Sequence, residues 1–126
     1  MTNGEPKQDD EATATIPPCE SDHGPSRKAK ATDAAFERAA ALFQALGDVE
    51  RLRLLELLTD GEACVSELVA ATHSGFSTVS QRLRILRSEG LVSQRRMGKH
   101  IYYGLKDAHV IELVQNALAH ASESHD

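Results

Sequence analysis

The chain has 126 residues, enough for one compact domain and a tail but not for two cores. Its net charge of −5 argues at first sight against a nucleic-acid partner, and an aromatic share of 4% with no Trp suits a small helical fold better than a sheet sandwich. No apolar run is long enough to span a bilayer, and the N-terminus lacks a signal peptide's basic start and hydrophobic centre, which predicts a cytoplasmic protein whose two cysteines are thiols or ligands rather than a structural bridge.

Residues 1–31 mix Pro, Ser, Gly, Thr and charges without a period, with Pro17-Pro18 and Gly24-Pro25 among them, and read as a flexible arm. From Thr32 the pattern becomes helical. Phe36, Ala39, Ala40 and Phe43 form one apolar stripe at i, i+3, i+4, i+7. Gly47-Asp48 stops that helix and caps the next, which carries Leu52, Leu55 and Leu58 and ends at Asp60-Gly61. A short helix over 65–71, the turn His73-Ser74-Gly75 and a second helix over 77–89 follow, the latter with Val79, Leu83 and Leu86 on one face.

The period then switches. Residues 92–95 and 100–103 are rich in β-formers and are joined by Arg96-Met97-Gly98-Lys99, a predicted hairpin with glycine at its tip. Asp107 caps a last helix bearing Val110, Leu113, Val114, Ala117, Leu118 and Ala121, a stripe long enough to call for a partner surface, most economically a second copy of the chain. Residues 32–126 are thus expected to form a mostly α domain with a small β-hairpin, a winged helix-turn-helix that dimerises.

The charge distribution reverses the first reading of the net charge. Between Ser77 and Tyr103 stand Arg82, Arg84, Arg87, Arg95, Arg96 and Lys99 against the single acid Glu89, and phosphate responds to the local field. Ser77, Thr78, Gln81, Arg82 and Arg84 on the second helix suit base edges and phosphates of double-stranded DNA in a major groove. Arg95, Arg96 and Lys99 on the hairpin suit the backbone or a minor groove. The chain has no Gly-rich phosphate loop and no nucleophile–base constellation, so an enzyme is not expected.

The runs Leu42-Phe43-Gln44-Ala45-Leu46-Gly47-Asp48, Arg51-Leu52-Arg53-Leu54-Leu55 and Glu62-Ala63-Cys64-Val65-Ser66-Glu67-Leu68 resemble the ArsR/SmtB family of metal-responsive repressors, as do Val79-Ser80-Gln81-Arg82-Leu83-Arg84-Ile85-Leu86, Gly90-Leu91-Val92 and Gly98-Lys99-His100-Ile101-Tyr102-Tyr103. The resemblance runs from about Thr32 to the C-terminus. It implies a homodimeric repressor of metal efflux or sequestration genes that leaves its operator when the inducing metal binds.

Two sets of candidate ligands stand within that resemblance. Asp107, His109, His120 and Glu123 match the ligand types and spacing of the family's zinc-sensing branch. His109 and His120 are eleven residues apart and share a helix face. They lie about 16 Å apart along the axis, too far for one ion within a chain. Two such helices packed antiparallel would bring Asp107 and His109 of one chain to His120 and Glu123 of its mate, a tetrahedral N/O set for zinc (Zn2+), with cobalt (Co2+) or nickel (Ni2+) as competitors. His125 is a substitute for Glu123. By analogy with the family, His120 reaches a backbone carbonyl near Gly90 and transmits the change.

The second set is implied by the resemblance alone. Cys64 occupies the family's other ligand position, Glu67 stands where Asp is usual, and the arm supplies Cys19 and His23. A thiol sensor that oxidises Cys19 and Cys64 to a disulfide is the alternative reading of the same cysteines.

Overall fold

The computed structural model describes residues 26–123. Its elements run in the order α1 (Asp33–Leu46), α2 (Val49–Leu58), β1 (Ala63–Cys64), α3 (Val65–Thr72), α4 (Phe76–Ser88), β2 (Val92–Met97), β3 (His100–Leu105) and α5 (Ala108–Ser122). No helix among the described residues is long and apolar enough to cross a membrane.

The helix starts follow side-chain chemistry. Thr32 Oγ1 accepts from the Ala35 N–H at 3.1 Å, and Asp48 Oδ1 from the Arg51 N–H at 2.9 Å, each satisfying a donor that a helix N-terminus leaves open. The Arg51 N–H holds the Asp48 carboxyl below its usual range. Arg51 also turns its own side chain back, Nε donating to the Ala45 carbonyl at 2.7 Å, so one residue closes the end of α1 and the start of α2. Between α3 and α4 the chain reverses at His73, whose left-handed φ of 59° is a conformation histidine tolerates better than most side chains. Gly75 then starts α4 at an ordinary φ of −70°.

Leu54, Leu55, Val79, Leu83, Leu86 and Leu91 are all fully buried and form the centre of one core. α2 is its hub, packing against α1, α3, α4, α5 and β3. From α5 only Val110 and Val114 enter that core completely.

The sheet differs from expectation in two ways. It has three strands, in the order β1-β3-β2, rather than two. β1 pairs Ala63 with Tyr103 and Cys64 with Tyr102, a long-range pairing over two residues that is too short to show a period. The hairpin is also longer than read. β2 and β3 stay paired out to Met97 and His100, leaving a two-residue loop in which Gly98 takes the positive φ of 65° that a glycine-first tight turn requires. Of the wing's basic residues Arg96 is therefore a strand residue, and Lys99 alone sits in the loop, beside Gly98.

The stripe expected on α1 is the third difference. Phe36 and Phe43 are 56% and 60% exposed, whereas Ala45 and Leu46 at the C-terminal end are buried. The periodicity on α1 is real but faces away from this chain's own core.

Candidate functional site

α3, the turn at His73 and α4 form a helix-turn-helix, and β2–β3 form the wing beside it. Val79, Leu83 and Leu86 point into the core and fix the roll of α4, which leaves Ser77, Thr78, Gln81 and Arg84 exposed on the other face. Arg84 Nη1 donates to Gln81 Oε1 at 2.7 Å, so these two side chains are held as a pair. Arg82 is half-buried and donates to Ser74 Oγ at 3.2 Å, which directs it back over the turn between the helices. Gly75 is exposed and offers α4 no capping side chain, which leaves first-turn N–H groups of the kind a phosphate contact can use.

On the wing, Arg96 and Lys99 are exposed. Arg95 is engaged. Its Nε donates to Glu62 Oε1 and Oε2 at 2.8 and 2.9 Å, its Nη2 lies 2.8 Å from Oε1, and its guanidinium stands 5.8 Å from the centre of the Tyr102 ring. The hydrogen bond from Arg95 holds the Glu62 carboxyl below its usual range and raises Arg95 in turn. Gly104 leaves room for this clamp, since a Cβ there would come within 3.1 Å of Glu62 Cγ. Arg95, read from the sequence as a DNA contact, is thus paired within this chain with an acid just before β1 that sequence distance hid. Glu62 and the exposed Phe76 are the two residues of this surface that sequence reasoning passed over.

The four C-terminal ligand candidates fall into two pairs. His109 Nδ1 lies 3.9 Å from Asp107 Oδ1 at the start of α5, and His120 Nδ1 lies 3.9 Å from Glu123 Oε1 at its end. The imidazoles are 95% and 83% exposed, and α5 separates them by about three turns. Asp107 Oδ1 also accepts from the Val110 N–H at 3.1 Å, capping the helix. Among the described residues of one chain no group of three or more His, Cys, Asp or Glu could hold a metal ion. Among the described residues of this single chain His120 makes no hydrogen bond to a carbonyl near Gly90, and its imidazole approaches Glu123 Oε1 at 3.9 Å instead.

Between these two ends lies an apolar groove of 220 Å³, lined by Phe43, Leu46, Leu52, Leu113, Val114 and Ala117 among others. Phe43 and Leu46 flank it from α1.

At the second candidate site, Cys64 precedes α3 as its cap, with Sγ 3.2 Å from Ser66 Oγ. Glu67 Oε1 accepts from the Cys64 N–H at 2.8 Å. That is the reciprocal half of a capping box, so one oxygen of the carboxylate has a structural duty in the helix start. Cys19, His23 and His125 lie outside the described residues.

Comparison with known proteins gives a consistent picture. The model of the bacterial regulatory protein, arsR family, matches residues 48–94. A transcriptional repressor SmtB homolog of Synechocystis sp. is 46% identical over 88 residues, which cover 70% of this chain and 67% of that protein. A cadmium resistance transcriptional regulatory protein CadC homolog of Staphylococcus aureus is 38% identical over 85 residues, 67% of this chain and 70% of that protein. Among solved structures, a homodimeric winged helix-turn-helix DNA-binding domain from Mycobacterium bovis, described as a possible ArsR-family transcriptional regulator, superposes with a TM-score of 0.71 at 31% identity, covering 80% of this chain and 94% of that one.

Proposed function

The chain belongs to the ArsR family of bacterial regulatory proteins, and on that premise we propose that it is a homodimeric repressor that holds operator DNA in its metal-free state and releases it on binding zinc, with cobalt or nickel as competitors. The observation that carries this reading is the division of ligands on α5. Two exposed histidine–carboxylate pairs stand at opposite ends of one helix, on either side of an apolar groove that a second α5 would fill.

Two copies laid antiparallel would put Asp107 and His109 beside His120 and Glu123 of the partner subunit. The donor set fits a borderline ion: two imidazole nitrogens and two carboxylate oxygens, with Oδ2 of Asp107 not needed by the helix cap. Bound there, the metal would act as a crosslink and supply no redox or acid–base chemistry. Its four protein ligands leave no open position of the kind a catalytic zinc needs, and the relatives are regulators, so an enzyme is not proposed.

Ser77, Thr78, Gln81 and Arg84 would meet base edges in the major groove, while Arg82, Arg96 and Lys99 would meet phosphates. The crosslinked dimer would hold its recognition helices at a spacing that no longer matches successive major grooves. By reciprocity, operator DNA must weaken metal binding by the same factor. The relatives, named as a repressor and a metal-resistance regulator, favour this scheme over a Cys19–Cys64 disulfide switch. For the site at Cys64 we propose accessory binding: Glu67 Oε1 serves the helix cap, and its Oε2 is left for a metal just as Oδ2 of Asp107 is.

The test is operator binding by fluorescence anisotropy under reducing conditions, with and without stoichiometric zinc, cobalt or nickel. Metal should lower operator affinity by about 5- to 150-fold, the usual size of an allosteric coupling. An affinity indifferent to all three metals sinks the metal reading while leaving the DNA-binding one intact.

A further inference from the structure

Phe76 has no role in the scheme above. It opens α4 with its ring 62% exposed, outside the buried cluster that anchors the rest of that helix. Single exposed apolar side chains are ordinary, so exposure by itself means little. Location decides. Phe76 borders the shallow hollow on the outer face of α4, where its other neighbours are Ser77, Thr78, Ser80, Gln81, Arg82 and Arg84, all polar or basic. On its other side it faces a second hollow that reaches Lys99 and His100 at the wing tip. On the outer face of α4 the ring is thus the one apolar side chain among hydrogen-bonding groups, while Val65 and Ile101 join it on the wing side.

The first residues of a recognition helix are those that reach base edges. Of the features the major groove displays, hydrogen-bonding side chains read all but one: the C5-methyl of thymine, which is recognised by apolar contact. Resting on the DNA-binding reading, we propose that Phe76 reads a thymine methyl in each half-site of the operator, so that it sets sequence preference rather than general affinity. Phe36, Phe43 and Val49, the exposed apolar residues of α1 and α2, and Met97 at the end of β2 lie outside α4 and have no part in this.

The experiment uses the full-length chain. Preferred duplexes are selected from a randomised pool, and each thymine of the selected site is then replaced by uracil, which removes the methyl and nothing else. The wild-type protein should lose about fourfold in affinity per half-site at one defined thymine, the size expected for burying a single methyl. Phe76→Ala should bind the thymine and uracil duplexes alike, with an unchanged thermal transition by circular dichroism because the ring lies outside the core. Phe76→Leu should keep part of the preference. A wild-type protein indifferent to every such replacement overturns the proposal, and so does a Phe76→Ala variant that keeps the same methyl dependence. If no sequence is selected at all, the DNA-binding reading falls and this proposal falls with it.

Discussion

Val79, Leu83 and Leu86 hang α4 from a fully buried row, so the surface that α4 and the wing present is rigid within one chain. The outer face of α1 and α5 is built the other way. Phe36 and Phe43 stand largely in solvent, Ala117 and Ala121 are exposed, and each half of the histidine–carboxylate set lacks its complement. The difference teaches a division of labour: one region is finished by intrachain packing, while the other leaves apolar surface for a second copy. On the proposed function, reading and sensing would be separable by mutation, and the separation can be tested from either side.

The largest expected effect comes from denying the open face its partner. Phe43→Glu places a charge in the groove without disturbing the core, since that ring is 60% exposed. Light scattering should report a monomer with unchanged helix content, and operator affinity should fall by on the order of a hundredfold as two linked half-sites become one. A dimeric Phe43→Glu protein that binds DNA normally would break the comparison. Next in size, His120→Ala should keep metal-free operator affinity yet lose the zinc-driven drop of about 5- to 150-fold. Loss of DNA binding in that variant would mean that the two regions are not separable.

A smaller effect is expected at Glu62. Glu62→Gln frees Arg95 for phosphate, so affinity for DNA of any sequence should rise and the salt dependence should steepen by about one counterion. Acid should do the same. Arg95 depresses the Glu62 carboxyl, so the clamp is complete above the ordinary glutamate value of 4.5 and is lost as pH falls through the lowered folded value. Least of all, Cys64→Ser should leave zinc-driven release largely intact, and a variant silenced by that change alone would move the sensing role to the other site.

The order of helices, the caps at Asp48 and Asp107, and the wing were legible in the sequence because each rests on local chemistry or on a period of several residues. What was hidden depended on long-range pairing. β1 spans two residues and exists only because Tyr102 and Tyr103 lie alongside it. The capture of Arg95 by Glu62 joins residues 33 apart. A stripe such as Phe36 and Phe43 announces burial without saying whether the covering surface belongs to the same molecule. The ligand residues were legible as types and spacings, but spacing alone did not reveal that the Glu67 carboxylate closes a helix cap.

Asp107 holds the first turn of α5 through a single proton, the Val110 N–H at 3.1 Å from Oδ1. On the proposed function, an ion on that same oxygen would compete with the amide and weaken its hydrogen bond, whereas an ion on Oδ2 would leave the amide protected. The Val110 resonance would then gauge how the carboxylate divides itself between helix and metal. Asp107→Ala would fray the helix and remove the ligand together, while Asp107→Ser keeps a cap and removes the carboxylate alone.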